Sequence, residues 1–225
     1  MNLKINVETM GDNEGINTND ISLSLSLLYH LFYQEPNTAL IERIVASGML
    51  GLWKSLVQEG QPIIDADLQN ERALEQMQAD HLALFVGIGM PLAPPWGSVY
   101  LSEENLLMQS STYAWMAHLD QAKLRFNAAE QQPHDHIGLM LSALAQWWHK
   151  YQIAKLTGGD AAYYQRALRV TLEQHLLPWL PRFYHHLSQH AQTPLYRLCG
   201  KVMMYLIDMI IKEIGAQPRV VTLYY

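Results

Sequence analysis

The sequence contains little charge, and the charge that is present is mostly acidic. Charged residues make up 16% of the 225 positions, whereas about 25% is usual for a globular domain. The 15 basic residues are outnumbered by 21 acidic ones, which gives a net charge of −6. Nucleic-acid binding requires a basic face, so this balance argues against nucleic acid as a partner. The low charge density instead indicates a large core or an apolar surface that meets a partner.

Cysteine is almost absent as well. The single residue, Cys199, excludes an internal disulfide and is compatible with a reducing compartment. It lies within an apolar helical run, where a free cysteine is usually buried. The pattern therefore predicts an inert thiol rather than a nucleophile.

Long apolar runs and phosphate-binding motifs are also missing. No stretch of about 18 apolar residues is present, so no transmembrane helix is predicted and membrane insertion is not expected. The polar N-terminus lacks the apolar core of a signal peptide. The sequence contains neither GxxxxGK[ST] nor GxGxxG, so nucleotide binding has no motif to support it. Together these absences predict a cytoplasmic protein.

Strand signals are nearly absent, whereas helical periodicity recurs along the chain. We therefore predict an all-α fold, with a single domain of about ten helices in two halves joined by a hinge near residue 130. Residues 1–17 are predicted to be a flexible tail and 18–215 the helical domain. Residues 216–225 form a C-terminal tail whose VVTLYY segment can pack on the body. The predicted helices span about 18–34, 37–47, 50–58, 65–86, 102–126, 135–151, 160–176, 179–191 and 194–214.

The histidines raise the question of a metal site. His134 and His136 are two residues apart, so on a helix they would point to different faces. His186 and His190 are four residues apart, which suits a shared ion, but no third ligand is evident. A metal-dependent hydrolase that uses these histidines is therefore one alternative, and solvated histidines on an amphipathic helix are the other. We expect no metal.

The stretch EQQPHDHIGLML contains an adjacent acid and base. Asp135 could orient His136 as in a catalytic dyad, but adjacent residues at a helix start do not reliably touch. Alternatively, Asp135 caps the helix that follows by accepting amide hydrogens, with Pro133 in the preceding turn. Gly138 would then let a second helix approach closely. The pattern favours the capping interpretation.

A second unusual feature is the proline-rich stretch GIGMPLAPPWGSVYL. Pro94 and Pro95 stiffen the chain and present Trp96 at a fixed angle. This tryptophan either plugs the core at an ordinary helix connection or forms an aromatic rim on a peptide groove.

The two features together resemble a known family. EQQPHDHIG is similar to the E-x-x-P-x-D-H-x-G signature of the TorD/DmsD family, and LFVGIGMPLAPPWGSVYL resembles a second marker, particularly of the DmsD branch. LLYHLFYQEP and HLLPWLPRFYHHLSQHAQTPLYRLCG resemble the first helix and the C-terminal region of that family. Members are chaperones for molybdenum oxidoreductases that are exported by the twin-arginine route.

The resemblance implies a cytoplasmic, non-enzymatic chaperone that needs no cofactor, although it allows weak GTP binding. Its partners would be the twin-arginine leader and the folded body of a molybdenum reductase catalytic subunit, of the dimethyl sulfoxide or trimethylamine oxide reductase type. Translocase components and molybdenum cofactor loading proteins are further candidates. An alternative client is a non-exported molybdoenzyme such as nitrate reductase. The resemblance is compatible with a monomer or a domain-swapped dimer.

The resemblance also places a leader-binding site. Its implied residues are Leu84, Phe85, Pro94, Pro95, Trp96, Gly97, Ser98, Tyr100, Pro133, Asp135 and His136, with Phe32, Tyr33 and His81 as groove lining. Two positions depart from relatives of the DmsD type, because His81 and Tyr100 stand where tryptophan is common. Leu84, Phe85 and Trp96 would be apolar anchors. Asp135 would pair with a leader arginine, and His136 could tune that contact with pH.

Overall fold

Ten α-helices form the described part of the chain, which comprises residues 16–57, 68, 70–126 and 132–225 of a computed structural model. Apart from one isolated bridge, these residues contain no β-structure. The prediction of an all-α fold is confirmed. The helices are α1 (Thr18–Tyr33), α2 (Thr38–Ala46), α3 (Met49–Val57), α4 (Glu71–His81), α5 (Gly97–Leu101), α6 (Ser110–Gln121), α7 (Ile137–Thr157), α8 (Ala161–Val170), α9 (Leu180–His190) and α10 (Pro194–Ile214), with π-helical turns at Leu82–Val86 after α4 and Thr171–Leu176 after α8.

The pairing of α1 with α7 is the most extensive helix contact of the described chain. The α1 residues Leu25, Leu28 and Phe32 are all fully buried, as their helical spacing predicts. Gly138 on α7 makes the close approach possible, because an added Cβ would lie 3.1 Å from the Tyr29 carbonyl oxygen. The predicted N-terminal and C-terminal halves thus share one continuous core. The hinge predicted near residue 130 lies outside the described residues, as do residues 1–15 of the predicted tail.

The helices begin and end at residues that commonly cap or terminate helices. The helix α10 begins at Pro194 and ends before Gly215, which adopts a left-handed φ of 68°. The N-cap of α1 is Asn17, whose side chain accepts from the Asp20 amide at 3.0 Å. The predicted start of this helix at about residue 18 is confirmed, and its cap lies one residue earlier.

One predicted helix is substantially wrong. The span 102–126 begins as a turn, and α6 starts only at Ser110. Asn105 and Met108 adopt φ values of 53° and 58°, which no helix accommodates. The Asn105 side chain donates to the Val99 carbonyl at 2.8 Å and so folds the chain back. The hydrogen bond of the Asn105 side chain overrides the helix-start signal that Glu103-Glu104 gives in the sequence.

The boundaries of two further helices differ from their predicted positions. The predicted helix 65–86 begins at Glu71 in the described chain and changes to π-helical geometry after His81, while residues 58–67 and 69 lie outside the described set. The helix predicted for 135–151 runs instead over Ile137–Thr157.

Cys199 is buried as predicted, and burial raises the pKa of its thiol. None of the described helices is long and apolar enough to span a bilayer.

Candidate functional site

The proline-rich loop and the Asp-His segment pair through their backbones. Trp96 and His136 form an isolated antiparallel bridge. The Ile137 amide donates to the Pro95 carbonyl oxygen at 2.7 Å, so a residue without an amide hydrogen still contributes as an acceptor. Two motifs about 40 positions apart in the sequence therefore form one structural unit between α4 and α7.

Asp135 caps a helix, but not its own. Its Oδ2 accepts from the Ser98 amide at 2.7 Å, which places the carboxylate at the start of α5. Its backbone carbonyl also accepts from the Gly97 amide at 3.1 Å. The prediction that Asp135 caps the helix that follows it is wrong, because α7 begins at Ile137 and is capped by His136. The carboxylate is instead a tie between the two motifs.

His136 is a neutral helix cap. Its Nδ1 accepts from the Gly138 amide at 3.0 Å, which leaves the ring proton on Nε2. Its ring meets Trp96 and Tyr33 edge to face, with centroid separations of 5.9 and 5.1 Å. Burial lowers the pKa of His136 to about 3. This pKa lies well below neutral pH, and the expectation that His136 tunes leader binding with pH stays a prediction.

A cavity of about 140 Å³ lies where the motifs meet. Asp135 lines it and is itself only 3% exposed, and its second oxygen, Oδ1, has no hydrogen-bond partner within the described chain. Trp115 forms part of the wall and donates through Nε1 to the His134 carbonyl at 2.8 Å, which ties α6 to the Asp-His segment. The remaining lining residues are Gly97, Leu101, Ser111, Ala114, Met140, Gln174, His175, Trp179 and Arg219. The arrangement offers a carboxylate inside a partly aromatic pocket.

Gly97 allows the closest approach at this site. A Cβ added there would lie 2.7 Å from Nε1 of Trp179, which is fully buried. Tyr100 stacks on the same tryptophan, with centroids 5.5 Å apart, and its hydroxyl donates to the Pro94 carbonyl at 2.8 Å. The Pro-Pro-Trp-Gly loop thus requires glycine at its last position because the Trp179 ring occupies the space that a side chain would need.

Several residues implied by the resemblance lie in the core. Phe85 is 3% exposed and packs against Phe32, Phe183, His81 and Tyr196. Direct contact with a ligand therefore requires a change in this packing, and the role of these residues stays a prediction. The other implied residues that are buried are Phe32, His81, Leu84, Pro94, Pro95, Gly97, Ser98, Tyr100, Asp135 and His136, whereas Tyr33, Trp96 and Pro133 are partly exposed.

The loop after α4 presents apolar side chains that sequence reasoning missed. The Leu92 and Ala93 amides donate to the Ala83 and Leu84 carbonyls at 3.0 and 2.9 Å, which closes the loop on the π-helical turn. The segment is rich in glycine and proline, so it cannot form a helix that would bury its apolar residues on one face. This composition was the sequence signal that could have indicated exposed apolar side chains here. The exposed side chains, here called the apolar loop, are Leu82, Val86, Ile88, Met90 and Leu92.

The histidine pair does not gather further ligands. The rings of His186 and His190 are stacked 6.3 Å apart. Within the described ranges, no group of three or more potential ligands lies close enough to hold a metal ion. His186 instead stacks on Tyr225 of the C-terminal tail, with centroids 5.0 Å apart.

Comparison with known proteins identifies the family. Residues 51–185, more than half of the chain, match the family described as nitrate reductase delta subunit. The Tat proofreading chaperone DmsD of Salmonella typhi is 26% identical over 81% of this chain and 85% of its own length. A probable Tat proofreading chaperone DmsD of Haemophilus influenzae is 29% identical over 79% and 83% of the two chains. The chaperone protein TorD of a Psychrobacter species is 30% identical over 63% and 59%. The chain therefore belongs to the TorD/DmsD family and lies on its DmsD branch.

Proposed function

We propose that this protein is a system-specific chaperone that binds the twin-arginine leader of a molybdenum oxidoreductase catalytic subunit and assists its maturation before export. The relatives named Tat proofreading chaperone support the leader as the ligand. The TorD relative supports a client of the same general class. The chain acts by binding rather than by catalysis, and it works in the cytoplasm, where the leader is first made.

The proposal rests on one observation, the buried carboxylate oxygen of Asp135 that has no hydrogen-bond partner in the described chain. One carboxylate oxygen ties the two motifs through Ser98, while the other is buried without a partner in the described chain and Asp135 lines the cavity. An arginine guanidinium presents several donors in a planar fork, and its hydrogen bonds to a carboxylate are strong. Because a buried acceptor left unsatisfied is costly, a leader arginine that reached Oδ1 would gain more than a contact at the surface. His136 stays neutral near pH 7 and so places no competing positive charge beside Asp135.

The apolar loop is suited to bind the part of the leader that follows its arginine pair. A twin-arginine leader continues from its arginine pair into a moderately apolar stretch, and Leu82, Ile88 and Met90 are all at least 49% exposed. Exposed apolar residues on a mobile or glycine-bearing segment are suited to bind an apolar peptide. The folded body of the client, translocase components and cofactor-loading proteins are further proposed partners.

A second candidate client follows from the family description. The matching model is named for the nitrate reductase delta subunit, and it covers both motifs of the site. The runner-up proposal is therefore an assembly chaperone for a non-exported molybdoenzyme. Binding to the N-terminal segment of such a subunit, with no binding to any twin-arginine leader, would favour it.

Trp96→Ala is expected to weaken leader binding by about 1–3 kcal/mol without altering the fold, as is typical for an aromatic anchor. Trp96 is partly exposed, and the hydrogen bonds that pair its loop with the Asp-His segment run through the backbones of Pro95 and Gly97, so the Trp96 side chain can be removed without breaking them. Calorimetric titration with synthetic leaders from the molybdenum reductases of the same organism measures the change.

The matched control is Tyr163→Ala, which removes another exposed aromatic ring on α8. The control should bind the leader as the unmodified chain does, and both variants should keep their helix content by circular dichroism. Equal affinity of the Trp96 variant and the unmodified chain would remove Trp96 from the site. Absence of binding to every leader, even by the unmodified chain, would contradict the proposed function itself.

A further inference from the structure

The C-terminal tail lies across the proposed site. After Gly215 the chain leaves α10 and continues without regular structure to Tyr225. The Gln217 amide donates to Glu173 Oε1 at 2.8 Å, and the Tyr224 amide donates to the Tyr100 carbonyl at 3.0 Å. These two bonds carry the tail from the π-helical turn after α8 to the end of α5, which is the helix that Asp135 caps.

Arg219 of this tail reaches the cavity that holds Asp135. Both residues line the same space of about 140 Å³, together with Trp115 and Trp179. An arginine of this chain therefore already lines the cavity that the proposed function assigns to the leader arginine, although it makes no hydrogen bond to Oδ1 of Asp135. The residues that follow, Val220-Val221-Thr222-Leu223, are mostly apolar, so the tail reproduces an arginine followed by an apolar stretch.

The last residue fixes the far end of the tail. The Tyr225 ring stacks on His186 at 5.0 Å and meets Tyr100 edge to face at 5.7 Å. Tyr100 stacks in turn on Trp179, whose ring also fills the space beside Gly97. The tail is thus seated directly on the residues that support the Pro-Pro-Trp-Gly loop.

The tail contacts the body at few points, which makes it a segment that a ligand can displace. Val220 is 95% exposed and Tyr224 is 48% exposed. Within residues 217–225, the backbone makes two hydrogen bonds to the rest of the described chain, one to Glu173 and one to Tyr100. A segment with few buried contacts opens at low free energy, whereas helices in the core do not.

We propose that residues 217–225 are an intramolecular occupant of the leader site, and that a leader binds only after it displaces them. This inference rests on the proposed function, since the competitor is defined by the leader that it excludes. The apparent affinity for the leader then equals the intrinsic affinity multiplied by the fraction of molecules in which the tail is unseated. The tail therefore keeps the pocket covered until a client with a better leader arrives.

The test uses the full chain with Arg219→Ala and, as a second variant, Tyr225→Ala. These changes act at opposite ends of the tail, and both residues are at least partly exposed, so the fold is retained. Each variant should bind a twin-arginine leader about threefold or more tighter than the unmodified chain, because the seated fraction falls. Arg72→Ala, which removes an exposed arginine on α4, is the control and should leave the affinity unchanged.

Hydrogen exchange at the Tyr224 amide provides a separate readout. Its exchange in the unmodified chain should accelerate when saturating leader is added, because the bond to Tyr100 opens. Equal or weaker leader affinity in both tail variants, or unchanged Tyr224 exchange in the complex, would overturn the inference while the leader still binds. If neither the unmodified chain nor the Arg72 variant binds any leader, the proposed function fails and the inference fails with it.

Discussion

Lowering the pH from 7 to 5 should reduce the free energy of unfolding by about 4 kcal/mol through two buried histidines alone, about 2 kcal/mol from each. Burial lowers the pKa of His81 to about 4 and that of His136 to about 3. Both are near the ordinary value of about 6.5 once the chain unfolds. The unfolded chain therefore takes up protons first as the pH falls. The contribution of these two histidines to the free energy of unfolding is present above pH 6.5. It is lost as the pH falls from 6.5 to the folded pKa values of about 4 and 3.

Urea unfolding at the two pH values measures this loss. His136→Asn is the informative variant, because an amide oxygen can still accept from Gly138 but does not titrate. Its stability should fall by about 2 kcal/mol less than that of the unmodified chain over the same interval. His149→Gln, an exposed position on α7, is the control and should fall as the unmodified chain does. An unchanged pH dependence in the His136 variant would show that this histidine is not buried in its neutral form.

Asp80→Ala should lower the free energy of unfolding by about 3 kcal/mol, since each buried donor left without an acceptor costs about 1–3 kcal/mol. Asp80 is 5% exposed on α4 and accepts from the Thr193 amide and hydroxyl, each at 2.7 Å, and from the Gln192 amide at 3.1 Å. It thereby holds the start of α10 against the helix that leads into the apolar loop. Chemical denaturation near pH 7 gives the difference.

Two companion variants separate the causes of this effect. Asp80→Asn keeps one acceptor and should cost less than the alanine change. Glu75→Ala removes an exposed acid from the same helix, so its effect should stay within about 0.5 kcal/mol. A loss for Asp80→Ala no larger than that of Glu75→Ala would show that Asp80 does not organise the two helix ends.

The sequence predicted those parts of the fold in which local signals agree. The last helix is an example, since Pro194 at its start and Gly215 after its end mark limits that the backbone itself requires. The C-terminal VVTLYY segment packs on the body as expected, with Tyr225 against Tyr100 and His186. The turn at 102–109 was missed because Asn105 stabilises a left-handed backbone through its side chain. Neither apolar periodicity nor acidic residues reveal such a contact.

The sequence indicated which residues belong to the site, but it did not indicate which contacts they make. The family resemblance pointed to Asp135 and Trp96, yet the pairing of their segments depends on contacts between residues about 40 positions apart. Asp135 was expected to cap the nearest helix and instead caps α5 through Ser98. Asp80 and Arg219 carried no local signal, because their roles arise only where distant elements meet. Sequence reasoning thus identified the residue types, and tertiary packing assigned their partners.

We propose that Asp135 receives an arginine of the leader, and one set of titrations tests this contact. A leader with its arginine pair and a copy with two lysines are each titrated into the unmodified chain and into Asp135→Asn. The amide oxygen of the variant can still accept from Ser98, so the fold is retained. We expect the unmodified chain to prefer the arginine leader by about tenfold or more, and the variant to lose this preference. A variant that weakens both leaders equally, and so keeps the preference, would contradict the claim and leave Asp135 as a structural tie alone.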